Sequence, residues 1–251
     1  MSTLLLLVGL ASAETVRDSF PPPSGAMLAP RTAFGSWLMD LELLPEGSPV
    51  LTHDGHQVGA PHTPPEVRVI PMPMVPGDLQ QCADTIYRLR ADYLRENNTD
   101  IVFHATNGQA IPWSRWAGGQ RTQLSGNTLS WVRTTHASEA AAWQSWLEEV
   151  FEYAGTISLK AHDTVAVANR EPRPGDVVVA PGSPGHAVLL FDVAKTQDGR
   201  WLVLFGEGFM PAQQLHVHRG PVDGWWEWDP EDGLPISWWV LPGEGLRRWK
   251  R

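Results

Sequence analysis

The chain has 251 residues, 42% of them hydrophobic and 19% charged, which is enough for one large domain with its own core. Its formal net charge is −9, with 28 acidic against 19 basic residues. That balance argues against classes of protein that bind nucleic acid or anionic lipid, because both need a basic surface.

The first residues, 1–13 (MSTLLLLVGLASA), resemble a signal peptide. Leu4–Leu10 is apolar but too short to span a bilayer. The small residues Ala11-Ser12-Ala13 fit a signal-peptidase site, so we expect the mature chain to begin at Glu14. We therefore predict an exported protein, periplasmic or secreted, without a transmembrane segment. Its single cysteine excludes an internal disulfide.

The next stretch, 14–35, is rich in proline, serine, glycine and alanine and is predicted to be a Pro-rich linker. A single α+β domain is expected over 36–220, followed by a Trp-rich C-terminal extension over 221–251. Within the domain, 66–74 (EVRVIPMPM) alternates like a strand, and its prolines favour a sheet edge.

The segment 76–94, PGDLQQCADTIYRLRADYL, contains the only cysteine, Cys82. Apolar residues recur at helical spacing, which predicts a helix over 79–96 with Cys82 in its first turn, on the face towards the core. Asp78 followed by Gln81 fits a capping box. A second helix is predicted over 138–156, with Ser138 as its N-cap.

The later chain carries three β-rich runs joined by turn sequences, which predict an antiparallel meander: 176–180, 186–193 and 201–207. A fourth strand is expected within 214–219. A long helix followed by antiparallel strands indicates an α+β fold in which the helix packs on the sheet.

Three residues in this layout fit a nucleophile, a base and an orienting acid: Cys82, His186 and Glu207. A helix N-terminus and an imidazolium both favour the reactive thiolate, and a carboxylate can fix the tautomer of the histidine. His186 begins one predicted strand and Glu207 ends the next, so neighbouring strands can bring them together. The backbone N–H of Cys82 and the side chain of Gln81 are candidates for stabilising an oxyanion.

Each candidate also has a structural interpretation. Cys82 could be a packed core residue, His186 a hydrogen-bonded strand residue and Glu207 an exposed turn residue. His53 with His56, or His216 with His218, could bind a metal ion, but spacing places no third ligand, so no metal site is predicted.

Tryptophans are the second group of candidates. Trp113, Trp116 and Trp226 could stack on sugar rings, although tryptophan also packs well in cores. Trp225, Trp226 and Trp228 are predicted to form an exposed platform.

Several motifs resemble a bacterial domain-of-unknown-function family, number 4846: DLQQCADTIYRLRADYL, YAGTISL, GDVVVAPGSPGHAVLLFDVA and MPAQ. The resemblance runs from about Trp37 to Gln213. More distantly, Gln-Cys at a helix start, Gly-His-Ala-Val on a strand and a glutamate ending the next strand are similar to the papain-like cysteine, histidine-dependent amidohydrolase/peptidase domains of NlpC type.

The second resemblance implies a papain-like architecture with Cys82 as nucleophile, His186 as base and Glu207 as the residue that orients it. It also implies cleavage of amide bonds in the cell envelope, with peptidoglycan or another envelope polymer as the partner and no cofactor. The alternative is a non-catalytic module of the same fold that binds glycan or peptide.

Overall fold

The computed structural model describes residues 13–59, 66–134, 138–236 and 239–250. The predicted signal peptide lies almost wholly outside them. The fold mixes helices with antiparallel strands, which confirms the α+β class. Among the helices in these ranges, none has the length and apolar character needed to cross a membrane.

The described residues contain six α-helices, several of them short. Their bounds are α1 Val16–Ser19, α2 Ala33–Met39, α3 Cys82–Glu96, α4 Trp113–Ala117, α5 Glu139–Tyr153 and α6 Thr156–Ser158. A π-helical turn, Leu159–Asp163, follows α6, and a 3₁₀ turn spans Gly243–Gly245. The two long predicted helices are thus present as α3 and α5, and Ser138 caps α5 by accepting the N–H of Ala141.

The strands of the same residues are, in chain order, β1 Met27–Leu28, β2 Val67–Val69, β3 Val102–His104, β4 Ala110–Pro112, β5 Gln120–Ser125, β6 Thr128–Arg133, β7 Thr164–Ala166, β8 Val177–Ala180, β9 His186–Lys195, β10 Trp201–Glu207, β11 His216–His218, β12 Trp226–Trp228, β13 Leu234–Ile236, β14 Trp239–Leu241 and β15 Leu246–Trp249. The three runs predicted as a meander are β8, β9 and β10, and the predicted fourth strand is β11.

One antiparallel sheet organises the fold. Its strand order is β2-β11-β10-β9-β8-β15-β7, with β1 added to β9 and β12 added to β10. The predicted edge strand, β2, ends this order. Among the strands that the structure describes, three further hairpins, β3–β4, β5–β6 and β13–β14, lie outside the sheet.

The centre of the sheet is buried on both faces, which explains why β8, β9 and β10 read as nearly continuous hydrophobic runs. Alternate residues such as Leu189 and Leu204 pack in one core with α2, α3 and α5. Their neighbours, such as Val188 and Val203, pack in a second core under β12–β15. Helix α3 lies against β9, so the chain segments that carry Cys82 and His186 are held together by the core.

Residues 14–35 contribute to this fold, although their composition predicts a linker. Val16 and Phe20 are buried in the helix-side core, and β1 pairs with the end of β9. Arg31 forms an ion pair with the buried carboxylate of Asp192 at 2.5 Å. Long-range pairing of this kind leaves no local signal in a proline-rich sequence.

The segment 221–251, expected as an extension, also enters the sheet: β12 pairs with β10, and β15 lies between β8 and β7. The predicted exposed tryptophan platform is wrong. Trp225 and Trp228 are fully buried, and their indole N–H groups donate to the carbonyls of Pro21 and Arg170. Trp226 is half-buried and packs on Phe205.

Candidate functional site

Cys82 is the first residue of α3. Gln81 is the N-cap, and its backbone N–H donates to the carboxyl group of Asp84 at 3.0 Å. The predicted capping role of Asp78 is therefore wrong, and the helix begins three residues later than expected. Asp78 instead accepts the backbone N–H of Ala212 at 2.6 Å and the side-chain amide of Gln81 at 3.1 Å. Asp78 thus links the residues just before α3 to the loop after β10.

The start of α3 forms one wall of a cleft of about 270 Å³. Residues 154–156, the 182–185 turn and Met210 also line this cleft. Cys82 lines the cleft but is only 5% exposed, and its Sγ lies 3.9 Å from the carbonyl oxygen of Gly185. A Cβ at Gly185 would clash with the hydroxyl of Thr156 and with the Gly182 backbone, so this wall requires glycine there.

The structure brings together the three residues proposed from sequence. Nε2 of His186 lies 2.5 Å from Oε2 of Glu207, and both side chains are buried. A hydrogen bond to Cys82 is among the interactions that shift the pKa of His186. Because Nε2 is engaged by Glu207, Nδ1 is the ring nitrogen left for the sulfur. The order along the contacts is thus Cys82, His186, Glu207, and the pair His186–Glu207 is the one that neighbouring strands were expected to bring together.

Burial alone would lower the pKa of His186. Hydrogen bonds and charge from Cys82 and Glu207 outweigh it and raise that pKa from 6.5 to about 10. Burial would likewise raise the pKa of Glu207, but the charge of His218 and the hydrogen bonds from both histidines hold it well below its usual range. The centre therefore favours an imidazolium at 186 beside a carboxylate at 207.

The pKa of Asp84, an acid that lines the cleft, shifts in the opposite direction to that of Glu207. Asp84 lies in the first turn of α3 and is nearly buried, and this burial raises its pKa from 3.8 to about 8. Sequence reasoning missed it, because its burial follows from the packing of α3 and has no signature in a helical pattern.

Glu207 has further partners on β11. Its Oε1 lies 2.8 Å from Nε2 of His218 and 3.9 Å from Nε2 of His216. The sheet register places Glu207 directly opposite His216. Burial and the charge of His218 lower the pKa of His216 to about 4, so its ring is neutral at physiological pH. Among the described residues, Glu207, His216 and His218 form the group with donor atoms close enough to share one metal ion.

The proposed oxyanion groups lie beside the sulfur. The first N–H groups of a helix lack intrahelical acceptors, and Cys82 and Ala83 both line the cleft. Gln81 lines it as well, with its amide oriented by Asp78.

The tryptophans proposed as binding residues do not line this cleft. Trp116 is buried, and Trp113 packs edge-on against Trp143 and Trp146 at centroid distances of 5.1 and 5.7 Å. Trp226 packs against Phe205. Trp113 and Trp116 also line another pocket, of about 300 Å³, so a role for these tryptophans in binding stays a prediction.

A family model described as "Domain of unknown function (4846)" matches residues 16–248, most of the chain. No curated protein and no solved structure matches significantly. The match includes the helix start with Cys82, the strand with His186 and the end of β10 with Glu207. The chain therefore belongs to the family of domain of unknown function 4846.

Proposed function

We propose that the protein is an exported cysteine hydrolase with a papain-like arrangement, which cleaves amide bonds of a cell-envelope polymer such as peptidoglycan. The observation that carries the proposal is the contact series Cys82–His186–Glu207, in which Cys82 lines a cleft of about 270 Å³ and the other two residues lie buried behind it. A nucleophile, a base within hydrogen-bond reach and a third group that orients the base are the parts required for covalent amide hydrolysis.

In the first step, the thiolate of Cys82 attacks the carbonyl carbon of the substrate amide. The carbon–nitrogen bond breaks when the imidazolium of His186 gives its proton to the leaving amine, and a thioester remains on Cys82. A water molecule, deprotonated by His186, then attacks the thioester. The acid product leaves, and the thiolate and imidazolium are restored.

The carboxylate of Glu207 supports both steps without exchanging a proton. It accepts a hydrogen bond from Nε2 of His186, which keeps Nδ1 directed to the sulfur and stabilises the imidazolium. Burial strengthens this effect, because the charges act in a medium of low dielectric constant.

The developing oxyanion of the tetrahedral intermediate has donors at the start of α3. The backbone N–H groups of Cys82 and Ala83 and the one amide hydrogen of Gln81 that does not donate to Oδ1 of Asp78 are the donors proposed for it, since all three residues line the cleft. Preorganised donors of this kind stabilise the transition state more than the ground state.

Alkylation of Cys82 tests the nucleophile. In the native full-length chain, iodoacetamide should label Cys82 near neutral pH, and His186→Ala should slow labelling about tenfold or more, because the thiolate loses its counter-ion. His56→Ala is the matched control: this side chain is 81% exposed and contacts Asp54, so the rate should not change.

Activity is tested separately. Soluble peptidoglycan fragments should gain free amino groups with the wild-type chain and not with Cys82→Ser. Native Cys82 that reacts only after denaturation would remove the nucleophile and favour a binding module instead.

A further inference from the structure

The carboxylate of Glu207 has two neighbourhoods, and the proposed hydrolase uses only one of them. Oε2 faces His186, whereas Oε1 faces His216 and His218 on β11. The side chains of Glu207, His216 and His218 are buried, with exposed fractions of 1%, 0% and 2%, respectively. Their donor atoms lie within 4.8 Å of one another.

The ring of His216 indicates that the cluster of Glu207, His216 and His218 lacks a positively charged partner. Its Nδ1 lies 2.9 Å from the carbonyl oxygen of Gln214, and a carbonyl can only accept, so Nδ1 carries the hydrogen. With the hydrogen on Nδ1, Nε2 is the ring nitrogen that can offer a lone pair. This atom is inaccessible to solvent and has no hydrogen-bond partner among the described residues. A buried acceptor without a donor is costly, which points to a missing positive group.

The donor set matches a transition metal. His-x-His on a strand with a carboxylate from the neighbouring strand gives two imidazoles and one oxygen, a set that zinc takes in proteins. Metal–ligand bonds of about 2.0 to 2.1 Å in a tetrahedral site put ligand atoms about 3.3 Å apart. The observed separations from Oε1, 2.8 Å to His218 and 3.9 Å to His216, lie on both sides of that value.

The surroundings also resemble a metal site. Histidine ligands usually donate their second ring N–H to a carbonyl or carboxylate, which fixes the tautomer, and Gln214 serves His216 in this way. The ring of His218 is held by stacking on Phe205 at a centroid distance of 4.7 Å.

We propose that Glu207, His216 and His218 bind one divalent first-row transition-metal ion, with zinc as the first candidate. The site does not depend on the hydrolase proposal, because neither Cys82 nor His186 is a ligand. Glu207 binds the ion through Oε1 and keeps Oε2 for His186. His218 binds it through Nε2, which then loses the proton that it donates to Oε1 in the metal-free chain. The ion links the ends of β10 and β11 and fixes the carboxylate that orients His186. Since the ligands are fully buried, the ion enters as the chain folds.

Metal analysis of the untagged full-length chain is the direct test. Elemental analysis by mass spectrometry should find about one transition-metal ion per chain, and it identifies which metal is bound. When the chain is unfolded with a chelator and then refolded, zinc added during refolding should restore the stoichiometry and raise the thermal midpoint of unfolding.

Variants locate the site. His216→Asn, whose amide can still donate to Gln214, should weaken zinc binding by about tenfold or more. His56→Asn removes an exposed histidine and should bind zinc like the wild type. Cys82→Ser should keep the metal, so a catalytically dead chain does not count against the site. If His216→Asn unfolds, the visible spectrum of the cobalt-substituted wild type decides, because a tetrahedral nitrogen and oxygen shell gives ligand-field bands without a thiolate charge-transfer band.

A chain that carries no transition metal and whose stability does not respond to zinc would overturn the proposal. So would zinc binding that is equal in the wild type and in His216→Asn, or a cobalt spectrum with thiolate charge transfer.

Discussion

Replacing Asp84 with asparagine should stabilise the fold, and the gain should grow with pH. Asp84 is 7% exposed in the first turn of α3, and burial raises its pKa from 3.8 to about 8. Its Oδ2 accepts the backbone N–H of Gln81 at 3.0 Å, a bond that the carbonyl oxygen of an asparagine can keep. The substitution therefore removes the titration while retaining the cap.

The direction follows from proton binding. The folded carboxyl keeps its proton up to a pH of about 8, whereas the unfolded one releases it above 3.8. Between these values the folded state binds more protons, so the free energy of unfolding falls as pH rises, by at most about 1.4 kcal/mol per pH unit. This loss of stability is absent below pH 3.8 and complete above about pH 8. At pH 7 it amounts to about 4 kcal/mol as an upper limit.

Urea unfolding of the wild type and Asp84→Asn at about pH 5 and about pH 7 measures this effect. The stability advantage of the variant should increase by about 2 to 3 kcal/mol between the two conditions. The control is Asp100→Asn, which replaces an exposed carboxylate beyond the end of the same helix and should show no such increase. An equal advantage of Asp84→Asn at both pH values would refute the reasoning.

Two further predictions concern the first part of the chain. Arg31→Ala should reduce the free energy of unfolding by about 3 to 5 kcal/mol, because it leaves the carboxylate of Asp192 buried without its ion pair. The control is Arg17→Ala, which breaks the exposed pair with Asp40 and should reduce the free energy of unfolding by less than about 1 kcal/mol. Equal losses for the two variants in urea titrations would contradict this prediction. N-terminal sequencing of the protein from its native host should begin at Glu14, because of the Ala11-Ser12-Ala13 site; a chain that retains Met1 would count against export.

Local sequence patterns predicted those elements whose stability is decided locally. Helix α3 has a strong apolar periodicity, and β8, β9 and β10 are separated by turn sequences, so their positions follow from the chain itself. The start of α3 was misplaced because Asp78 found a partner on a distant loop, the N–H of Ala212. Competing long-range hydrogen bonds of this kind cannot be read from neighbouring residues.

The same distinction applies to the candidate site. Cys82, His186 and Glu207 could be proposed because each lies at the end of a predictable element. The second partner of Glu207 could not, because it depends on the register that places His216 opposite Glu207 across two strands. The burial of Trp228 was missed for a related reason: its neighbours belong to a core assembled from distant segments.

The position of β15 has a consequence for how the chain reaches its native state. This strand lies late in the sequence yet occupies the place between β8 and β7, with Leu246 opposite Val178 and Trp249 opposite Thr164. Contacts so distant along the chain slow folding, because a long loop must close before they form. Until β15 arrives, β8 presents an open row of backbone donors and acceptors on a very hydrophobic strand. Such an exposed edge promotes strand pairing between chains, so a chain truncated before Leu246 should aggregate instead of reaching the native state.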